Sequence, residues 1–121
     1  MKNVIVRYAK LVKERAEQIK KLESTLTKEI IRGSIRIQGN RCGTKGCRCK
    51  RKNNPILHGP YAYLSYRGKK SNHSILLTKN KDIIAKQAIK NYRELMDGVI
   101  KLSDIDFQIL RYYSNRFMDI R

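Results

Sequence analysis

All three cysteines of this 121-residue chain fall within eight positions, Cys42, Cys47 and Cys49, and His58 follows nine residues later. That cluster constrains the fold more than any other feature. An odd number of cysteines packed this closely does not make a secreted disulfide framework and suits a reducing compartment. Three thiolates and an imidazole satisfy tetrahedral zinc, and four protein donors would close the site, which makes it structural. The step between Cys47 and Cys49 is C-x-C, not the C-x2-C of the common zinc knuckle. In its favour, Gly43 and Gly46 let the backbone fold round an ion, and the neighbouring Arg and Lys residues favour thiolate over thiol. The competing reading is three reduced cysteines in a basic loop, with His58 opening a turn before Gly59-Pro60. His73 is the alternative fourth ligand and is otherwise expected as a cross-strand residue.

The charge distribution isolates the same stretch. The chain carries 28 Lys/Arg against 10 Asp/Glu, a net charge of +18. Residues 1–29 contribute +4 and residues 82–121 contribute +1. Residues 30–81 hold thirteen Lys/Arg and no acid, and so carry +13. A solvated face normally mixes signs to limit repulsion. A one-sign field over fifty-two residues is what a phosphate backbone could neutralise. Arg36, Arg41, Lys45, Arg48, Lys50, Arg51, Lys52, Arg67, Lys69 and Lys70 are the cations expected to do so.

The flanks read as helix. From Asn3 to Ile31 there is no Pro or Gly, and Val4, Tyr8, Leu11, Val12, Ile19, Leu22, Leu26 and Ile30 recur at helical spacing. Asn3 is the expected N-cap and Gly33 the residue past the end. Such a helix would be roughly 40 Å long, which calls for a helical partner, although Arg15 interrupts the apolar repeat. Ser34 to Gln38 alternates as a strand. Tyr61 to Arg67 reads as a second, with Tyr61, Tyr63, Ser65 and Arg67 on one face and Ala62, Leu64 and Tyr66 on the other. Gly68-Lys69-Lys70 gives a hairpin turn before a third strand, Asn72 to Leu77. From about Asn80 the helical period returns through Ile84, Ala85, Ala88, Ile89, Tyr92, Leu95, Met96 and Val99. Ser103 with Asp106 forms a capping-box pattern for a last helix from Asp104 to near Met118, buried through Ile105, Ile109, Tyr112, Tyr113 and Phe117. A kinked continuation of the preceding helix is the alternative.

The expectation is a single α+β domain over residues 1–121. It consists of a long helix at 3–31, a small three-stranded antiparallel sheet with a Cys/His knuckle at 34–77, and a helical tail at 80–118 packing on the first helix. The tyrosines leave two options. Tyr61 and Tyr63 share a face with Arg67 and would stack bases beside phosphate-binding cations, or they pack beneath a helix.

The run Gly33-Ser34-Ile35-Arg36, Arg41-Cys42-Gly43, Gly46-Cys47-Arg48-Cys49 and His58-Gly59-Pro60-Tyr61-Ala62-Tyr63-Leu64-Ser65-Tyr66-Arg67 resembles a family of small archaeal and bacterial proteins of unknown function. That family is marked by an RCG, GCRC and HGPYYYLSYR pattern followed by a helical tail. The resemblance covers residues 30–95. It implies that Cys42, Cys47, Cys49 and His58 belong together, and it carries no activity. Ala62 stands where the family more often has an aromatic residue. The strand, strand, helix order is also similar to the small three-stranded modules with which some phage-type integrases grip DNA.

The functional expectation is a nucleic-acid-binding protein, DNA favoured over RNA, with structural Zn2+ fixing the basic loop. RNA binding and a helical adaptor docking a partner protein are the alternatives, and the long helices allow a homodimer. No enzyme is expected, because the basic tract has no acidic cluster for magnesium and no Gly-rich phosphate loop precedes a helix. The longest apolar run is four residues, Tyr61 to Leu64, so no membrane span is expected. Charges around Val4-Ile5-Val6 leave no signal-peptide core, which places the chain in the cytoplasm, associated with the nucleoid if it binds DNA.

Overall fold

The structure is a computed structural model that describes residues 2–117, with side chains described for 3–113. Helix α1 spans Lys2–Leu26, strand β1 Gly33–Asn40, strand β2 His58–Arg67, strand β3 Asn72–Leu77 and helix α2 Lys81–Phe117, with a 3-10 turn at Arg48–Lys50. The chain is α+β, as its periodicities require. It falls into two compact units, Ile30–Lys90 and Met1–Glu29 with Asn91–Arg121.

In the first of these, the three strands form one antiparallel sheet in the order β1-β2-β3. Ile35, Leu64 and Ile75 stand in register across it, as do Arg36, Tyr63 and Leu76. Because side chains alternate across a strand, these two rows lie on opposite faces. Leu64 and Leu77 are buried against Ala85 and Ile89 from the first turns of α2, with Ile31, Ile35 and Ala62 packed round them. The core therefore covers the Leu64 face. Tyr61 and Tyr63 point the other way, which removes the reading in which they pack beneath a helix. Arg32 fixes the β2–β3 turn, donating from Nε to the Arg67 carbonyl (3.2 Å) and from a terminal nitrogen to that of Gly68 (3.1 Å).

The second unit pairs α1 with the remainder of α2. Leu11 and Ile105 are buried apolar residues of the seam, and Gln18 is buried there too, donating to the Gly98 carbonyl at 3.0 Å. Buried Asn91 donates to the Glu29 carbonyl. Arg15, which interrupts the apolar repeat, is satisfied by Asp106 at 2.6 Å.

Strand β1 runs one residue earlier and two later than the expected Ser34 to Gln38, and the helix boundaries differ as well. Helix α1 already includes Asn3, so Asn3 is not its cap, and it ends at Leu26 instead of Ile31. The threonines end it: Thr25 and Thr27 turn their hydroxyls back onto the carbonyls of Lys21 and Ser24, a local alternative to the helical ladder. Beyond them Ile31 donates to the Ala88 carbonyl. The tail is one helix, not two, running through both Gly98 and Ser103. Ser103 is thus a helical residue and caps nothing, since the seam holding Leu102, Ile105 and Ile109 partly or fully buried continues past it. The expected burial of the Phe117 side chain and the expected end at Met118 lie outside the described residues. No described helix is long and apolar enough to cross a membrane.

Candidate metal centre and basic sheet surface

Two of the four metal-ligand candidates are placed by the sheet. Cys42 follows the last residue of β1 by two positions, and His58 is the first residue of β2, paired with Asn40. Strand β2 starts three residues earlier than alternation predicts, because a bulge interrupts the pattern. Between the pairs Gln38↔Tyr61 and Asn40↔His58, β1 uses one residue, Gly39, and β2 uses two, Gly59 and Pro60. A proline that cannot donate to the ladder is accommodated at such a bulge. Gly59 takes φ +106°, where a Cβ would lie 2.8 Å from the Tyr61 nitrogen.

The other two candidates are placed by the 3-10 turn. Cys47 precedes it in extended conformation and Cys49 sits inside it. The change from extended to tight helical backbone lets a C-x-C step converge. The loop is tied by Cys47 N–H to the Thr44 carbonyl (3.4 Å), Lys50 N–H to the Cys47 carbonyl (3.0 Å) and Ile56 N–H to the Arg48 carbonyl (3.1 Å). Gly46 takes φ +81°, whereas Gly43 has open space around it.

The donor atoms of Cys42, Cys47, Cys49 and His58 all lie within 4.8 Å of one another. Cys42 Sγ is 3.6 Å from Cys49 Sγ, and Cys47 Sγ is 3.2 Å from His58 Nε2. Metal–sulfur bonds of about 2.3 Å and metal–nitrogen bonds of about 2.0 Å imply tetrahedral edges of about 3.8 Å between sulfurs and about 3.5 Å from sulfur to nitrogen. The four residues therefore fit a metal ion. Cys49 is fully buried and its sulfur accepts the Cys42 N–H at 3.3 Å, while His58 is exposed. His73 is not part of the group. It stacks on Tyr66 with ring centres 6.2 Å apart and hydrogen-bonds Ser71.

Hydrogen bonding within the cluster draws two of its cysteines toward thiolate. Hydrogen bonding lowers the Cys42 pKa to about 6, first through the Thr44 backbone and then through the Cys47 thiol. Cys47 is lowered mainly by the Cys49 backbone. For Cys49 the largest influence, the Cys42 N–H, is lowering, but desolvation and the two sulfur neighbours outweigh it and raise the value. His58 is raised, chiefly by Cys47. A cluster with two thiols displaced toward thiolate and one sulfur shut away from water could hold a soft cation.

Around this centre, Arg36, Arg41, Lys45, Arg48, Lys50, Arg51, Lys52, Arg67, Lys69 and Lys70 are all exposed. Arg36 is held on the outer sheet face, its guanidinium 5.2 Å from the Tyr63 ring centre and donating to Ser74 Oγ at 3.1 Å. Tyr63 is half-buried and its hydroxyl accepts from the Asn40 amide. Tyr61 is exposed on the same face. Asn40 and Ser74 were not singled out from the sequence. Alternation does put Ser74 opposite Ser65 on the Arg36 face, but only the strand register reveals the contact.

No curated protein and no solved structure matches the chain. The model of a family described as a domain of unknown function (DUF6788) matches residues 9–86, which takes in all of the sheet, the four metal-ligand candidates and most of α1, and the chain belongs to that family.

Proposed function

We propose that this protein binds nucleic acid, DNA in preference to RNA, through the outer sheet face and the basic knuckle, with one structural zinc ion holding the knuckle in shape. The observation that carries the reading is the charge of residues 30–81, thirteen Lys/Arg without a single acid, combined with the exposure of every named cation there. Phosphates would neutralise that field and release counterions. Zinc suits three thiolates and an imidazole, and four protein donors leave no open position for catalysis, so the role is binding and not chemistry. Arg36, braced by Tyr63 and Ser74, is a rigid cation suited to the groove of a duplex, and exposed Tyr61 beside it can stack on a base. The small antiparallel sheet with one face free suits insertion of strands into a groove. We read the RCG, GCRC and HGPYAYLSYR run, which lies inside the matched residues, as the signature of a family in archaea and bacteria, and place the protein in the cytoplasm at the nucleoid.

The decisive measurement is binding to duplex DNA, duplex RNA and single strands across a salt series, on protein whose zinc content has been measured. Affinity for duplex DNA should be highest and should fall by at least ~10²-fold between about 50 and 200 mM salt if several phosphates are contacted. Affinity that is flat over that range would refute the phosphate-binding reading. Preference for single-stranded RNA would move the function to the tyrosine surface. Zinc below about half an equivalent in protein never exposed to chelator would refute the metal assignment.

A further inference from the structure

The helical unit has one apolar and one polar broad side, which its seam does not explain. Tyr8, Leu11, Arg15, Gln18 and Leu22 face the partner helix at alternating steps of three and four, as do Leu95, Gly98, Leu102, Ile105 and Ile109 on α2. Arg7, Lys10 and Glu14 of α1 line one groove together with Gln108 and Arg111 of α2, so these residues share one side of the pair. That side continues with Glu17 and Lys21 on α1, and with Glu94, Asp97, Lys101 and Asp104 on α2, a mixture with no net charge.

The opposite side is one residue further round each helix. On α1 it carries Ile5, Ala9, Val12 and Ala16, all exposed. On α2 it carries Met96, Val99, Ile100, Phe107 and Leu110, with Phe107 and Leu110 each 62 % exposed and Ile100 58 %. Two charged groups are placed there: Asp106, which is engaged by Arg15, and Glu23 near the end of α1. At roughly 200 Å² for a fully exposed large side chain, Ile5, Val12, Met96, Val99, Ile100, Phe107 and Leu110 together expose on the order of 700 Å². That exceeds the largest apolar patch of an ordinary monomer, and it is close to the ~800 Å² each partner gives to a stable interface.

We infer that this side is the interface of a homodimer, in which two copies oppose the Ile5/Val12 and Ile100/Phe107 stripes across a two-fold axis to form a four-helix bundle. A second copy is the occupant that fits. A patch whose charged groups are acidic, Asp106 paired with Arg15 and Glu23 at one end, offers nothing to nucleic acid, and a polar side of balanced charge lacks the Lys/Arg excess by which an interfacial helix holds an anionic membrane. Two antiparallel helices with one apolar side are half of such a bundle, and a self-complementary face closes after two copies. This assignment is independent of the nucleic-acid reading.

The test is the mass of the full chain, with its zinc, by light scattering and sedimentation equilibrium. At about 50 µM the mass should be twice the 14.2 kDa of one chain. Ile100→Glu with Phe107→Glu should halve it while the helical circular dichroism stays, and Lys101→Glu with Gln108→Glu on the polar side should leave it doubled. Should the glutamates cost the fold, Ile100→Ser with Phe107→Ser is read the same way. A wild-type mass of one chain up to about 100 µM overturns the interface. So does a dimer indifferent to the first pair but broken by the second, and so does a single chain that sediments with phosphatidylserine vesicles.

Discussion

Residues Ile30–Lys90 hold fifteen Lys/Arg and one acid, Asp82, whereas Met1–Glu29 with Asn91–Arg121 hold thirteen Lys/Arg and nine acids. The first unit closes its core with Leu64, Leu77, Ala85 and Ile89. The second builds its seam on a regular repeat along two long helices. A unit that small, whose buried aliphatic side chains are Leu64, Leu77, Ala85, Ala88 and Ile89 and whose net charge is +14, gains little stability from hydrophobic burial. In the reading proposed above, zinc at the Cys/His cluster does there what packing does elsewhere. The helical unit has no such need, since its charges are mixed and its buried polar side chains, Gln18 and Asn91, bond to backbone carbonyls.

The largest effect expected from this contrast is on metal removal. Structural zinc in small domains binds with on the order of 10 kcal/mol of free energy that is also folding free energy. Cys49→Ser, or a strong chelator, should abolish stoichiometric zinc and collapse the dispersed amide signals of β2 and the knuckle. Most of the helical signal should persist. NMR spectra read residue by residue decide it: an intact sheet after complete metal loss would break the contrast, and so would helices that melt with the sheet.

The second effect concerns where the charge sits. Replacing Arg48, Lys50, Arg51 and Lys52 by Gln should lower the slope of log affinity against log salt by about 3 to 4 and cost roughly 10²-fold or more at moderate salt. Zinc content should not change, because none of the four is a ligand candidate. The matching set on α1, Lys10, Lys13, Lys20 and Lys21 to Gln, removes the same formal charge and should change the slope by less than about 1. Equal losses from both sets would show that only total charge matters and would remove the basic knuckle from the mechanism.

How far the sequence could be read follows the same division. The cysteine spacing, the acid-free tract and the period-two alternation identified the four ligand candidates, the basic surface and all three strands, because each is a local signal. What escaped depended on contacts distant in the chain. The start of β2 at His58 is hidden by a bulge that lies between the pairs Gln38↔Tyr61 and Asn40↔His58. The end of α1 is set by threonines that bond backward, which apolar periodicity does not register. Ser103 with Asp106 matched a helix start, yet Asp106 is taken by Arg15 from the other helix. Arg15 itself looked like a defect in the repeat for the same reason. Val12, expected inside, belongs instead to the second apolar stripe, because residues on two adjacent apolar faces of one helix share the same 3.6-residue period.

A smaller effect tests the closeness of the helical seam. In an open helix, Gly98→Ala would gain up to about 1 kcal/mol. Here a Cβ would meet Leu22 Cδ2 at 2.7 Å and Gln18 Nε2 at 3.1 Å. Overpacking costs about 1 to 3 kcal/mol, so the net change should be a loss of roughly 1 kcal/mol in denaturant unfolding. A gain would mean that Leu22 shifts freely and that the seam is looser than its residue pattern implies.

The smallest expected effect is that of the Arg15–Asp106 pair. Both side chains are about two-fifths exposed, and pairs at such positions are worth about 0.2–1 kcal/mol. A double-mutant cycle with Arg15→Met and Asp106→Asn should return a coupling in that range when the protein is dilute. Asp106, however, lies on the apolar side through which two copies are inferred to associate, and association would take the pair out of water. Removing one partner of a buried pair is far more costly, about 3–5 kcal/mol. The penalty for Asp106→Asn alone should therefore grow as the protein is concentrated through the dimer transition, while that for Gly98→Ala, which is confined to the seam, should not. A penalty for Asp106→Asn that stays constant over the same concentrations would place the pair at the edge of the interface and narrow the apolar contact to the Ile100 and Phe107 stripe.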